Sequence, residues 1–237
     1  MGRLIGIVGP PGAGKTTSML PIKELNIKGL NPKETVYINV ATKELPMRLP
    51  DELYNPDIPV SKGGNYAAVD DPDDIKNIIQ YVSEHRFDIK NIVIDDLGYV
   101  MSFDVMRRVS EKNYEKWTEL ARDMFYITEV ARKARPNLLI FTMFHQENSK
   151  DGTVKIKTAG QLIDKELKID GLYTTLLFTE NELDYSTKKT TYGFRTQSFN
   201  DTAKSPVGMF KDLIIPNDLG YVRDTIVEFY GIKEDEE

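Results

Sequence analysis

Eight residues near the start of this chain constrain its fold more than any other stretch. Residues 9–16 read Gly-Pro-Pro-Gly-Ala-Gly-Lys-Thr and match the pattern G-x-x-x-x-G-K-[S/T] without a mismatch. The apolar run from Leu4 to Val8 predicts a strand before them, and residues 17–20 predict a helix after them. This pattern is specific when a strand precedes the loop and a helix follows it, so a chance Gly/Pro turn is the weaker interpretation.

The glycines of this stretch predict a loop that wraps a phosphate. Backbone N–H groups can approach an anion closely where no side chain blocks them, which is the role predicted for Gly9, Gly12 and Gly14. A helix that begins near Gly14 would also point its N-terminal N–H groups and its dipole at the anion. The predicted nucleotide-binding residues are Gly9, Pro10, Pro11, Gly12, Ala13, Gly14, Lys15, Thr16 and Thr17.

Two side chains of the loop are predicted to take part in the chemistry. Lys15 can reach the β- and γ-phosphates of a nucleoside triphosphate, and the Thr16 hydroxyl can ligate Mg²⁺. The loop alone selects neither the nucleoside nor the use to which the energy of the triphosphate is put.

Composition narrows the class of protein. The chain has 237 residues, of which 40% are hydrophobic and 29% charged, enough for the core of one large domain. A formal net charge of −6 disfavours indiscriminate coating of nucleic acid but leaves room for local basic loops. The absence of cysteine excludes disulfides and thiolate metal sites and is typical of a reducing compartment. We expect a cytoplasmic protein with neither a signal peptide nor a membrane-spanning segment.

A pair of acids ends the next strong strand signal. Residues 91–96 form an apolar run that ends in Asp95 and Asp96, which predicts a buried parallel strand with carboxylates at its C-terminal tip. Ligands of open α/β sheets bind at those tips. Together with the glycine-rich loop, this stretch is interpreted as a Walker B strand in which Asp95 is associated with the magnesium ion. The alternative is a strand followed by a solvated acidic turn.

Strands and helices alternate up to residue 145. Further strands are predicted at 35–40 and 138–144, a helix capped by Asp71 at 72–82, helical structure in two pieces at 98–135, and an irregular stretch at 41–70. Beyond 147 the patterns predict a short helix at 160–167, a hairpin of strands at 174–179 and 190–198, a last helix at 219–229 and a disordered acidic tail at 234–237.

This order of elements predicts an α/β fold with a doubly wound, mainly parallel sheet and a strand-rich C-terminal extension of the same sheet. Since no linker interrupts the chain, we expect one domain, with a core of about 1–147, an extension of about 148–230 and an acidic tail at 231–237.

The loop at 9–17, the strand at 92–96 and the strand end Phe144-His145-Gln146-Glu147 resemble the RecA-like and AAA-type ATPases. A closer resemblance is to small ATP-binding proteins that bacteriophages encode, of the RecA-like group linked to recombination and single-strand annealing. That likeness is carried by Thr158-Ala159-Gly160 with Asp164-Lys165, by residues 173–177 and by residues 202–210. It implies a RecA-like P-loop core that uses ATP and Mg²⁺ in the cytoplasm of a bacterial host.

The resemblance also implies catalytic roles. In this group the strand that carries the sensor residue lies between the loop strand and the Walker B strand, so His145 would face the γ-phosphate; a structural histidine is the alternative. RecA-type proteins carry a glutamate after the second strand to activate water, but here no acid follows that strand until Glu44. The first candidate for the general base is therefore Asp96, which is the arrangement of AAA-type sites. The second candidate is Glu44.

DNA and neighbouring subunits are implied in the same way. The DNA-binding loops of RecA-like proteins correspond to about 99–116 and 147–159, and the second carries Lys150, Lys155 and Lys157. Lys204 resembles a basic residue that reaches the ATP of a neighbour. We therefore expect single-stranded DNA as a partner and a homo-oligomer, ring or filament. The alternative for each lysine is a solvated surface charge.

Two other functions use the same loop. Nucleotide-type small-molecule kinases also carry Gly-Pro-Pro-Gly-Ala-Gly-Lys, but no arginine-rich lid follows here, and the acidic strand suits ATPases better. A GTPase-like switch fits Asp95-Asp96-Leu97-Gly98 as D-x-x-G, but the chain has no Asn-Lys-x-Asp motif to read guanine.

Overall fold

A computed structural model describes residues 2–46, 53–112, 115–159 and 167–233. Within these ranges the strands are β1 (Arg3–Val8), β2 (Thr35–Asn39), β3 (Tyr66–Ala67), β4 (Asn91–Asp95), β5 (Leu139–Phe144), β6 (Gln146–Asn148), β7 (Val154–Ile156), β8 (Thr175–Asp184), β9 (Lys189–Arg195) and β10 (Ile214–Pro216). The α-helices are α1 (Pro72–His85), α2 (Gly98–Arg107), α3 (Glu115–Lys133) and α4 (Leu219–Tyr230).

Eight strands form one sheet in the order β10-β9-β8-β1-β5-β4-β2-β3. The six strands from β8 to β3 run parallel, while β9 and β10 pair antiparallel at the far edge. The predicted α/β fold with a mainly parallel sheet is therefore confirmed. The predicted hairpin is the β8–β9 pair, and it extends the sheet directly because β8 pairs with β1 from Ile5↔Thr175 to Val8↔Phe178.

Strand β5 lies between β1 and β4, as the resemblance implied. Phe141 pairs with Ile5 on one side and with Val93 on the other. The three strands therefore end side by side, and their C-terminal ends lead into the glycine-rich loop, the acidic pair and His145.

Both faces of the sheet are covered, which explains the continuous apolar runs in the sequence. In β4, Ile92 and Ile94 pack in the cluster that contains residues of α1 and α3, while Val93 packs in the opposite cluster with Val222 of α4. Successive strand residues point to opposite faces. A strand that is buried on both faces therefore has no solvent-facing polar position before its tip.

The helices follow local sequence signals. The side chain of Asp71 caps α1 by accepting hydrogen bonds from the N–H of Asp73 and Asp74, and Pro72 occupies the first turn. The predicted two-piece helix is α2 and α3, and α3 ends at Lys133, shortly before Pro136.

The helix predicted after the glycine-rich loop is wrong. The chain forms only a single 3₁₀ turn, Thr17–Met19, because Pro21 has no N–H and its ring opposes a continuing helix. It then enters a tight loop that is closed by two backbone hydrogen bonds of 3.0 Å between Ile22 and Ile27. One turn carries little of the macrodipole of a full helix, so the predicted binding of an anion would depend on the loop itself.

The irregular stretch predicted at 41–70 also contains a strand, since β3 pairs with β2 at Tyr37↔Tyr66 on the sheet edge. Of the predicted short helix, residues 160–166 lie outside the described residues, and with them Gly160, Asp164 and Lys165 of the resemblance. The acidic tail at 234–237 lies outside them too.

Candidate active site

The glycines of the loop are required by its backbone and by its neighbours. Gly12 and Gly14 have φ of +75° and +85°, a region that favours glycine. At Gly9 a Cβ atom would collide with the side chain of Thr179 on β8. At Gly14 it would lie 3.0 Å from Asn217 Oδ1, so the loop is also confined by the C-terminal part of the chain.

Lys15 folds back onto its own loop. Its Nζ donates to the carbonyl oxygens of Gly9 at 2.8 Å and Pro10 at 3.0 Å, and the residue is only 6% exposed. Burial lowers the pKa of Lys15, while the carboxylates of Asp96 and Asp95 oppose that change. The ammonium therefore lies beside the glycine-rich backbone that is predicted to surround a phosphate.

Asp95 is the acidic group that contacts the loop. Its Oδ2 accepts hydrogen bonds from the Thr16 hydroxyl at 2.8 Å and from the Tyr37 hydroxyl at 3.1 Å. Its Oδ1 is buried and has no hydrogen-bond partner, although the residue is only 4% exposed. Burial and the neighbouring carboxylate of Asp96 raise the pKa of Asp95.

These oxygens fit a magnesium ion. Mg²⁺ prefers carboxylate and hydroxyl oxygens, and it is usually held by one or two protein ligands together with waters and phosphates. An unpaired carboxylate oxygen of Asp95 beside the Thr16 hydroxyl meets that description. Across the described ranges no three His, Cys, Asp or Glu side chains cluster into a site that could hold an ion by themselves.

Asp96 has different partners from Asp95. Its backbone is left-handed, with φ of 58°, so the chain turns directly at the tip of β4. Its carboxylate forms an ion pair with Lys43 and lies 3.3 Å from Nε2 of His145. At 4% exposure, Asp96 is as buried as Asp95.

His145 joins the same group of side chains from the end of β5. Burial and the Lys15 ammonium lower the pKa of His145, so its ring is neutral at pH 7. Nδ1 is buried without a partner, and the ring packs edge-on against Tyr99 at 5.6 Å. His85, the other histidine, ends α1 with an exposed side chain away from this group.

One cavity of about 910 Å³ unites most of the predicted site residues. Its lining includes Pro11, Gly12, Ala13, Gly14, Lys15, Thr16, Thr17, Glu44, Asp95, Asp96 and His145. Gly9 and Pro10 do not line it and contribute carbonyls to Lys15 instead. Lys204 does not line it either, because its backbone is paired with Leu176 of β8.

In both predicted DNA loops, some of the basic side chains pair with acids. In the first, Arg107 pairs with Asp70, and Arg108 pairs with Glu111 at 2.8 Å. The second forms the β6–β7 hairpin, in which Lys155 pairs with Glu147 at 3.2 Å. Lys150 and Lys157 are exposed.

Among the cavity residues that sequence reasoning missed, four contact the acids or border the glycine-rich loop. Lys43 and Tyr37 contact the two acids, and Tyr192 and Asn217 border Gly14. The position of Lys43, shortly after the second strand, was a usable signal for this residue. The side-chain amide of Asn39 donates to the carbonyl oxygen of Lys43 at 2.7 Å and holds the turn there. Tyr192 and Asn217 carry no local signal, because only the fold of the C-terminal strands brings them to the loop.

A mainly parallel sheet with this loop after β1 and paired acids at the tip of β4 is the arrangement of P-loop nucleotide-binding folds. No protein-family profile matches the sequence, and no curated protein matches it. Among solved structures, flagellar accessory protein FlaH from Methanocaldococcus jannaschii is similar over 84% of this chain and 79% of its own, at 14% identity and a TM-score of 0.42. No helix in the described ranges is both long and apolar enough to cross a membrane.

Proposed function

We propose that this chain binds Mg²⁺–ATP and hydrolyses it. The observation that carries the proposal is the contact between the loop and the acidic strand, in which the Thr16 hydroxyl donates to Asp95 at 2.8 Å within the cavity that Lys15 also lines. Residues 79 positions apart in sequence thus bring together a phosphate-binding backbone, a cation ligand and a buried ammonium.

Each group has a role that follows from its surroundings. The loop amides and Lys15 hold the phosphates, and Thr16 and Asp95 hold the magnesium ion, which neutralises charge on the phosphate oxygens. Asp96 is proposed as the general base that orients and deprotonates water, with Glu44 as the second candidate. Asp96 is favoured because it is buried beside Asp95, whereas Glu44 is exposed at the cavity edge.

The proposal extends to DNA and to assembly. By its resemblance to the phage group, the chain would act in recombination, annealing or replication of DNA in the cytoplasm of a bacterial host. Exposed lysines on the β6–β7 hairpin, directly after the strand that leads to His145, support a contact with single-stranded DNA. Lys204 would serve the ATP of a neighbouring copy in a homo-oligomer, which is consistent with its position outside the cavity of its own chain.

The Lys15→Ala variant tests the site. Phosphate release from Mg²⁺–ATP should fall by about a hundredfold or more, because the cation that stabilises charge on the transferred phosphate is removed. The fold should survive, as judged by circular dichroism, since Lys15 serves the loop and not the core. Lys23→Ala is the matched control, because Lys23 is exposed on the same segment and does not line the cavity.

The assay is run with and without single-stranded DNA, and stimulation by DNA is the expected result. A folded Lys15→Ala variant with wild-type turnover would contradict the assignment of the site. Turnover that requires a small-molecule phosphate acceptor in place of water would identify a kinase instead.

A further inference from the structure

The cavity continues beyond the loop to a second wall, which is made of three separate segments. These are the tight loop 22–27, the start of β9 at 190–192 and the turn before α4 at 216–218. We propose that this wall binds the nucleoside of the nucleotide, with a nucleobase against the ring of Tyr192 and a hydrogen bond from the Asn217 amide. The inference rests on the proposed function, because it assigns the other end of the same ligand.

Asn217 is the clearest sign of a missing partner. The residue is only 6% exposed, yet its Nδ2 is buried and has no hydrogen-bond partner. The amide lies beside the loop, with Oδ1 3.0 Å from the place where a Cβ atom of Gly14 would stand. A buried N–H group without an acceptor is unfavourable, and a ligand that supplies the acceptor removes that cost.

Tyr192 supplies an aromatic surface at the same place. Its Cδ1 lies 3.3 Å from the Cβ position of Gly14, and its side chain is half-exposed into the cavity. The pairing of β1 with β8 ends at Val8↔Phe178, but the β8–β9 hairpin continues beyond it. Tyr192, which pairs with Asn181, therefore reaches this point. Aromatic side chains in such positions bind bases by stacking, whichever base is present.

The tight loop 22–27 contributes apolar side chains to this wall, and hydrogen bonds hold the loop in place. Leu25 and Ile27 line the cavity from the loop that Ile22 and Ile27 close by mutual hydrogen bonds. Asp218 fastens this loop to α4, because its carboxylate accepts from the N–H of Lys28 at 2.7 Å and of Gly29 at 3.0 Å. The same carboxylate caps α4, so the loop and the turn that carries Asn217 are fixed to one another.

The chemistry of this wall suits a base better than a phosphate. Among its described lining residues none is basic, and its one acid, Asp218, is engaged with backbone N–H groups. The ammonium of Lys15 and the loop amides lie on the other side. The lining combines apolar and aromatic side chains with neutral polar ones, namely Asn26, Thr190, Thr191 and Asn217. Apolar contact area together with a few polar groups that fix the orientation is typical of small-molecule recognition.

Binding of ATP is compared with binding of inorganic tripolyphosphate, which has the same phosphates but no nucleoside. Calorimetry with Mg²⁺ gives both affinities for the wild type, Tyr192→Ala, Tyr192→Phe and Asn217→Ala. We expect Tyr192→Ala and Asn217→Ala to weaken ATP binding about tenfold and to leave tripolyphosphate within twofold. Tyr192→Phe keeps the ring and should bind ATP like the wild type.

Tyr185→Ala is the matched control, since Tyr185 lies near the tip of the same hairpin, is 85% exposed and does not line the cavity. A second readout needs no ligand: Asn217→Ala should not lower the melting temperature, because it removes an unpaired buried amide.

The outcomes separate the inference from the proposed function. Unchanged ATP affinity in both alanine variants, equal weakening of ATP and tripolyphosphate, or destabilisation by Asn217→Ala without ligand would each overturn the nucleoside assignment. Absence of ATP binding in the wild type, or ATP binding that Lys15→Ala leaves unchanged, would overturn the proposed function itself.

Discussion

Asp95 and Asp96 are neighbours in sequence but have different surroundings. Asp95 still belongs to β4 and its carboxylate meets Thr16 and Tyr37, whereas the left-handed backbone of Asp96 turns its carboxylate to Lys43 and His145. A non-glycine residue with positive φ is strained, and such strain persists where surrounding contacts hold it. This turn gives two adjacent acids different partners, as their proposed roles at a cation and at a water molecule require.

At the residue scale, Asp95→Asn should stabilise the protein without nucleotide or Mg²⁺. Because the pKa of Asp95 is raised, the folded state keeps its proton to higher pH than the unfolded chain does. Stability is therefore lost as pH rises from the ordinary carboxyl pKa of about 4 through the raised value. At pH 8 the variant should gain on the order of 1 kcal/mol, or about 2–4 °C in melting temperature.

Thermal unfolding of the two proteins from pH 4 to pH 8 measures this effect. The difference should shrink as pH falls toward 4, because the folded wild type then holds the proton and the unfolded chain is also taking it up. Asp57→Asn changes an exposed carboxylate and should show no such trend. A lower melting temperature for Asp95→Asn at pH 8 would contradict the destabilising role of the buried charge.

Also at the residue scale, Asp96→Asn should retain Mg²⁺–ATP binding but slow hydrolysis by about 10²–10⁴-fold, the usual contribution of a general base. Single-turnover hydrolysis and nucleotide binding measure the two properties separately. Glu44→Gln, at an exposed position on the cavity edge, should stay close to the wild type. If Asp96→Asn turns over normally and Glu44→Gln is inactive, the two roles are exchanged.

The β6–β7 hairpin is joined directly to the end of the strand that leads to His145. It begins at Gln146, directly after His145, and the backbone N–H of Lys157 donates to the carbonyl of His145 at 2.8 Å. This hydrogen bond links the hairpin to the strand end that carries the histidine. The proposed contact with DNA depends on its exposed lysines, Lys150 and Lys157.

The double variant Lys150→Gln/Lys157→Gln should weaken binding of single-stranded oligonucleotides about equally for all sequences. Each lost phosphate contact also lowers the slope of log affinity against log salt by roughly 0.7 for single strands. Fluorescence anisotropy at several salt concentrations measures both. Lys133→Gln is the control, since Lys133 is exposed at the end of α3 and pairs with Glu129; an unchanged slope in the double variant would remove the hairpin from the DNA site.

Assembly and domain organisation concern the chain as a whole. Lys204 is half-buried and held by Leu176 on β8, away from the cavity of its own chain. The division into a core of about 1–147 and an extension of about 148–230 within one domain stays a prediction. The β8–β9 hairpin of that extension nevertheless borders the glycine-rich loop, so both parts of the chain line the same cavity.

At this scale, Lys204→Ala should reduce turnover in the oligomer and leave ATP binding by the monomer intact, because the ammonium would act on a neighbouring site. Mixtures of Lys204→Ala with Asp96→Asn subunits should recover activity, since some interfaces then combine an intact Lys204 with an intact Asp96. Light scattering confirms that mixed oligomers have formed. Mixed oligomers without recovered activity would leave Lys204 acting within its own chain or without a catalytic role.

Local patterns in the sequence determined much of the fold and the central part of the site. Continuous apolar runs placed the strands, a cap and a proline placed α1, and spacing alone placed Lys15 and Thr16. The helix predicted after the loop was wrong because Pro21 is also a local signal, and it outweighed the helical pattern at 17–20.

Only the tertiary structure decided which side chains meet at the cavity. Lys43 pairs with Asp96 across 53 residues, and Tyr192 and Asn217 reach Gly14 from the C-terminal strands. These contacts depend on strand order, on register and on how far β8 and β9 extend beyond β1. Propensity and periodicity act over a few residues and carry no information on such distances, which is why the phosphate end of the site was predictable and its second wall was not.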